Sequence, residues 1–112
     1  HSSYVILLAR ESDTIHTQFK KGVLELLVLS IVNEQDIYGY ELELKVREAV
    51  DVNEGTIYPI LKRLTNEDFF ETYLVESKEG PTRKYYHITA KGKKRLQEVL
   101  AEWKKFSESI QR

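Results

Sequence analysis

Apolar and polar positions divide this chain into three helical stretches, a pair of extended runs and a last long helix. Phe19 to Asn33 is apolar on almost every side and reads as the first secure helix. A helix of that kind needs neighbours on more than one face. Asp36 to Val50 reads as the second helix. Leu42, Leu44 and Val46 alternate there as in a strand, but Glu, Leu, Lys and Arg dominate the segment, and Leu42, Val46 and Ala49/Val50 form a helical stripe. After a short turn, Asp51 to Asn53, a third helix runs to about Asp68 with Ile57, Ile60, Leu61 and Leu64 on one side. Asn53 is its expected N-cap, and Pro59 falls near its start, where a missing N–H costs least.

Phe70 to Ser77 and Arg83 to Ile88 are rich in aromatic and β-branched residues and flank the turn cluster Lys78-Glu79-Gly80-Pro81-Thr82. They predict a hairpin with Tyr86 and Ile88 on one face and Tyr85 and His87 on the other. Thr89 then caps a last helix that runs to the end of the chain. The order helix, helix, helix, hairpin, long helix is that of a winged helix-turn-helix. The expected fold is mostly α (α+β), with a two-stranded wing and a long C-terminal helix.

The 112 residues fit one domain, and 41% hydrophobic with 31% charged residues suits a folded chain rather than a disordered one. Cysteine is absent, which removes disulfides, thiolate metal sites and cysteine nucleophiles. No apolar run approaches the ~20 residues of a membrane span. The histidines His1, His16 and His87 are far apart, and neither a phosphate-binding glycine loop nor a nucleophile motif is present, so no enzyme, metal or cofactor is expected. No basic leader with a cleavage site is recognisable, and a cytoplasmic protein is expected. The chain opens on His1-Ser2-Ser3, and residues 1–17 read as an N-terminal extension or a cloning remnant. A net charge of −1 and a pI of about 6.4 argue against a uniformly basic nucleic-acid binder. The distribution qualifies this, because acids gather before Ser77 and bases after it, so one face can still be positive.

The candidate chemistry lies on the third helix. Opposite its apolar stripe stand Thr56, Tyr58, Lys62 and Asn66, groups that can bond phosphates and base edges. An ordinary amphipathic helix with a solvated face accounts for the same residues. Lys91, Lys93, Lys94 and Arg95 gather at the start of the last helix, where cations oppose the helix dipole by roughly 0.3–1 kcal/mol each. Such a cluster makes sense facing an anion such as phosphate backbone, with Arg83 and Lys84 just before it. Further along, Leu96, Val99, Trp103, Phe106 and Ile110 are spaced 3, 4, 3, 4. That two-heptad seam is too short for a free coiled coil. It packs back on the domain or pairs with a second subunit through the same helix and Val23 to Val32. Dimerisation also explains a first helix that is apolar all round.

With these residues laid out, the chain resembles the PadR family of transcriptional regulators. The matching motifs are Lys21-Gly22-Val23-Leu24-Glu25-Leu26-Leu27, Ile37-Tyr38-Gly39-Tyr40-Glu41-Leu42, and Glu54-Gly55-Thr56-Ile57-Tyr58-Pro59-Ile60-Leu61-Lys62-Arg63-Leu64. They continue with Gly80-Pro81-Thr82-Arg83-Lys84-Tyr85-Tyr86-His87-Ile88-Thr89, then Gly92, Glu102-Trp103 and Phe106. The resemblance covers roughly residue 18 to the end. It implies a winged helix-turn-helix DNA-binding domain over 18–89 and a dimerisation helix over 90–112. It also implies a homodimeric repressor on a pseudo-palindromic double-stranded operator, relieved by a small aromatic or phenolic effector. Expected DNA contacts are Thr56, Tyr58, Lys62, Arg83, Lys84 and Lys93. Trp103 and Phe106 are the ligand candidates, and Leu96, Val99, Trp103, Phe106 and Ile110 the dimer interface. One departure is Asp68, which stands at a left-handed helix cap where the family has glycine. The alternative is a winged helix that binds proteins and reads no DNA sequence.

Overall fold

The computed structural model describes the backbone of residues 2–111 and the side chains of residues 18–111. In chain order the elements are α1 (Ser2–Glu34), β1 (Ile37–Tyr38), α2 (Gly39–Ala49), α3 (Ile57–Asn66), β2 (Phe70–Val75), β3 (Arg83–Ile88) and α4 (Ala90–Ile110). This is the expected winged helix-turn-helix: α2 and α3 form the helix pair, and the β2–β3 hairpin is the wing.

Three boundaries differ from the sequence reading. α1 is helical from Ser2 rather than from Phe19. The second helix begins at Gly39, not Asp36, because Ile37 and Tyr38 pair with Tyr86 and Tyr85 of β3. That strand makes the sheet three-stranded, in the order β1-β3-β2. Two residues are too few for an alternation signal, so only the neighbour strand identifies β1. The third helix begins at Ile57 with Thr56, not Asn53, before it. The Asn53 carbonyl instead accepts from the Thr56 amide at 3.2 Å in a turn that holds Gly55 at φ 86°, a region that glycine enters at no steric cost. Pro59 lies in the first turn of α3, where it breaks no helical hydrogen bond.

α1 supplies the centre of the core. Leu24, Val28, Leu29 and Val32 are buried against Leu42 and Val46 of α2, Ile57, Leu61 and Leu64 of α3, and Phe70, Tyr86 and Ile88 of the sheet. Its flanks carry Leu26, Leu27 and Ile31 partly buried on the same core, so neighbours within the subunit already explain much of its all-round apolar character. Leu96 and Val99 of α4 belong to this core too, at 3% and 4% exposure.

Two capping devices fix the wing between the helices. α3 ends in paired bonds, Phe69 N–H to Leu64 O at 2.9 Å and Asp68 N–H to Thr65 O at 3.0 Å, with Asp68 at φ 64°. This is a Schellman ending with aspartate in the place that usually holds glycine. At the far side of the hairpin, Thr89 accepts from the Gly92 amide at 3.0 Å and donates to the Asp68 carbonyl at 2.7 Å, so one hydroxyl caps α4 and ties it to the end of α3. Gly92 permits that approach: a Cβ there would stand 2.2 Å from the Phe69 carbonyl oxygen.

Candidate nucleic-acid interface

The head of α3 is held by a residue that the sequence reading passed over. Glu43 of α2 is 2% exposed, and its Oε1 accepts from the Gly55 amide at 3.1 Å. The Tyr58 phenol is pushed above its usual pKa of 10.0 by burial first, then by the charge of Glu43 and a hydrogen bond to it. Tyr58 itself is 44% exposed, so its ring is open to a partner. Its ring lies 3.9 Å from where a Cβ on Gly39 would sit. Glu43 lies on the buried stripe of α2 with Gly39, Leu42 and Val46, while Leu44 faces solvent. An acid placed at a helical core position was the available sign. The strand-like alternation of Leu42, Leu44 and Val46 obscured it.

Tyr58 and Lys62, one helical turn apart, line a single recess with Thr65, Asn66, Lys84 and Tyr86. Its volume is about 330 Å³, and it opens between α3 and the wing. Three of the predicted DNA contacts, Tyr58, Lys62 and Lys84, are thus brought together from two elements. Thr56 stands at the head of the same helix, half-buried. Arg83 points from the other face of the wing, with its guanidinium 5.1 Å over the Tyr38 ring.

Lys93 is not part of this constellation. It follows the Ile88 end of β3, whereas Arg83 opens that strand; five residues of strand separate those ends by roughly 17 Å. The basic cluster around it also divides. Arg95 Nε lies 3.0 Å from Glu25 Oε1, and Lys91 Nζ sits 5.4 Å over the Phe69 ring, leaving Lys93 and Lys94 facing solvent. Of the four bases, Arg95 and Lys91 thus have partners within the subunit, and Lys93 and Lys94 stand apart from the recess that gathers Tyr58, Lys62 and Lys84.

The outer face of the wing carries Tyr38, Tyr85 and Tyr73 in a row across β1, β3 and β2, with Tyr73 and Tyr85 stacked at 5.6 Å. Tyr73 donates to Asp36 Oδ2 at 2.7 Å, and His87 Nδ1 lies 2.7 Å from Asp36 Oδ1. These bonds, Tyr73's first, hold the Asp36 carboxyl below its usual 3.8. His87 is thereby a wing-fastening residue of this face.

The seam of α4 separates into two parts. Leu96 and Val99 are enclosed in the subunit's own core and present almost no surface to a second chain. Phe106 and Ile110 are 50% and 67% exposed, and Trp103 is half-buried. Trp103 packs edge-on against Phe19 of α1 at 5.4 Å and against Phe106 at 6.1 Å. Phe19, Glu102, Trp103 and Phe106 line an open groove of about 240 Å³. Among the described residues, no group of three His, Cys, Asp or Glu side chains is placed to hold a metal ion. No described helix is long and apolar enough to cross a membrane.

Comparison with known proteins agrees with this architecture. Residues 28–98, more than half of the chain, match the transcriptional regulator PadR-like family. The chain belongs to that family, and so to a class of DNA-binding transcriptional regulators rather than enzymes. An uncharacterized protein of Lysinibacillus sphaericus is 31% identical over 100 residues, spanning 86% of this chain and 92% of that protein. A PadR-like transcriptional regulator from Bacillus cereus superposes with a TM-score of 0.74 at 43% identity, covering 84% of this chain and 93% of its own. A PadR-like transcription factor from Bacteroides fragilis gives 0.75 at 38% identity, with 88% and 96% covered. A Streptococcus transcriptional regulator gives 0.77 at 36%, with 84% and 94% covered.

Proposed function

We propose that this regulator is a homodimeric repressor acting in the cytoplasm on a pseudo-palindromic operator, with α3 in the major groove and the wing on the adjoining backbone. The observation that carries this reading is the recess that joins Tyr58 and Lys62 of α3 to Lys84 of β3. A helix face and a hairpin that share one basic surface suit simultaneous groove and phosphate contact. Lys62 reaches a guanine edge or phosphate, Tyr58 and Thr56 touch base edges or a thymine methyl, and Arg83 and Lys84 hold phosphates. Residues 18–89 form the DNA-binding unit, 90–112 the dimerisation helix, and 1–17 lie outside both.

The dimer reading is supported by the exposed apolar strip Phe19, Leu100, Phe106 and Ile110, at 51%, 42%, 50% and 67% exposure. Apolar surface of that kind is typical of an interface. Trp103 and Phe106 form the effector site, stacking a flat aromatic molecule in their groove. Glu102 beside them suits a neutral or cationic aromatic better than a phenolic carboxylate.

The test is selection of bound genomic fragments at low salt, followed by a reporter assay on the recovered site. Expected are a two-fold symmetric sequence, binding abolished by Thr56→Ala with Lys62→Ala while dimerisation persists, and transcription that rises when the gene for this chain is removed. Binding by the double variant equal to the parent's would overturn the groove assignment. No preferred fragment at all would favour a protein-interaction module.

A further inference from the structure

Glu25 is six residues along α1 from Phe19 and is 12% exposed. One of its carboxylate oxygens takes Arg95 of α4 at 3.0 Å, and the other lies 3.4 Å from Arg63 of α3. Arg63 is also bonded to Glu67 at 3.3 Å, at the end of the same helix. The carboxylate therefore joins three helices at one point. Two of them, α1 and α4, are the walls of the Phe19–Trp103–Phe106 groove. The third carries Tyr58 and Lys62.

We propose that Glu25 is a positioning residue for DNA binding, transmitting the relative placement of α1 and α4 to the recognition helix through Arg95 and Arg63. This inference rests on the reading of α3 as the DNA-contacting helix and adds the route by which the rest of the molecule governs it. Each oxygen of this partly buried carboxylate takes a different guanidinium, so a displacement of either arginine lengthens a charge-assisted hydrogen bond and pulls on the other. α4 is continuous from Arg95 past Trp103 and Phe106, a rise of about 12–17 Å. A shift of α4 at the groove, from an occupant or a second subunit, therefore moves the guanidinium of Arg95, and Glu25 follows. Arg63, on the other carboxylate oxygen, carries the movement into α3. The triad also gives Arg95, in the basic cluster at the start of α4, a partner within the subunit.

Arg95→Gln is the decisive change, since it alters only α4. Two readouts are taken on the full chain: amide hydrogen exchange of segment 57–66 without DNA, and operator affinity as a function of salt. Exchange in 57–66 should rise about 3- to 30-fold, beyond any rise in the sheet. Operator affinity should fall by a similar factor with an unchanged salt slope, Arg95→Lys should restore both, and Glu25→Gln should reproduce Arg95→Gln without adding to it. Unchanged exchange in 57–66, or an equal rise throughout the molecule, overturns the proposal. A salt slope reduced by about 0.9 for each lost contact would make Arg95 a phosphate ligand instead. If the parent chain binds no operator, the DNA reading fails on its own, and the exchange measurement still decides whether α4 is coupled to α3.

Discussion

The buried carboxylate of Glu43 accepts the Gly55 amide at 3.1 Å, tying the middle of α2 to the head of α3. The bond spans a turn whose glycine sits at φ 86°, so it fixes the segment from which Thr56 and Tyr58 project. A hydrogen bond to a charged group contributes about 1 kcal/mol more than a neutral one. Glu43→Gln should therefore keep the fold and lower operator affinity by roughly fivefold. Thermal unfolding alongside a DNA titration checks this, and equal affinity in a folded Gln variant would show that the bond has no part in recognition.

The wing and the start of α4 are separable by salt. Arg83→Ala and Lys84→Ala should each flatten the dependence of binding on salt by about 0.9 per phosphate contact, hence about 1.8 for a dimer carrying the change in both subunits. Lys93→Ala should leave the slope unchanged, because Lys93 lies beyond the far end of β3. A slope lowered equally by all three would extend the DNA footprint to α4.

Acid should loosen the outer face of the wing. The folded Asp36 carboxyl lies below its ordinary value of 3.8, held there by the hydrogen bond from Tyr73 and then that of His87. A depressed carboxyl contributes stability above its unfolded pKa and loses it as pH falls through the folded one. The contribution is therefore intact near neutrality and disappears below about 3.8. Asp36→Asn should abolish that part of the acid limb and let the Tyr73 phenol, now raised chiefly by its bond to Asp36, titrate lower. Chemical unfolding across pH and NMR titration of Tyr73 provide the comparison; an unaltered Tyr73 would rule the bond out in solution.

Asp68 offers a gain in stability. Its φ of 64° is strained for an L-residue, and the paired bonds that close α3 use only its backbone. Asp68→Gly should stabilise the domain by about 0.5–1 kcal/mol, the relief exceeding the added freedom of the unfolded chain. A higher denaturant midpoint with an unchanged slope is the expected result, and a lower midpoint would show that the aspartate side chain itself stabilises the cap.

Much of this protein is written in local pattern. The apolar stripe of Ile57, Leu61 and Leu64, the alternation that buries Tyr86 and Ile88, the Thr89 cap and the left-handed Asp68 all follow from residues within a turn or a strand of one another. Periodicity and capping report such short-range physics directly. The polar face that carries Tyr58 and Lys62 was legible for the same reason, because i and i+4 share a helix face. Contacts between distant segments were decided by the tertiary structure. β1 exists only because β3 lies beside Ile37 and Tyr38. Leu96 and Val99 fit a heptad seam equally well whether a partner or the subunit's own core covers them, and packing on α1 chose the core. Lys84 joins Lys62 because the hairpin folds back toward α3, while Arg95 is drawn to Glu25, 70 residues away. Charge and hydrophobicity state what each side chain can do; only the folded arrangement of helices and wing determines which partner comes within reach.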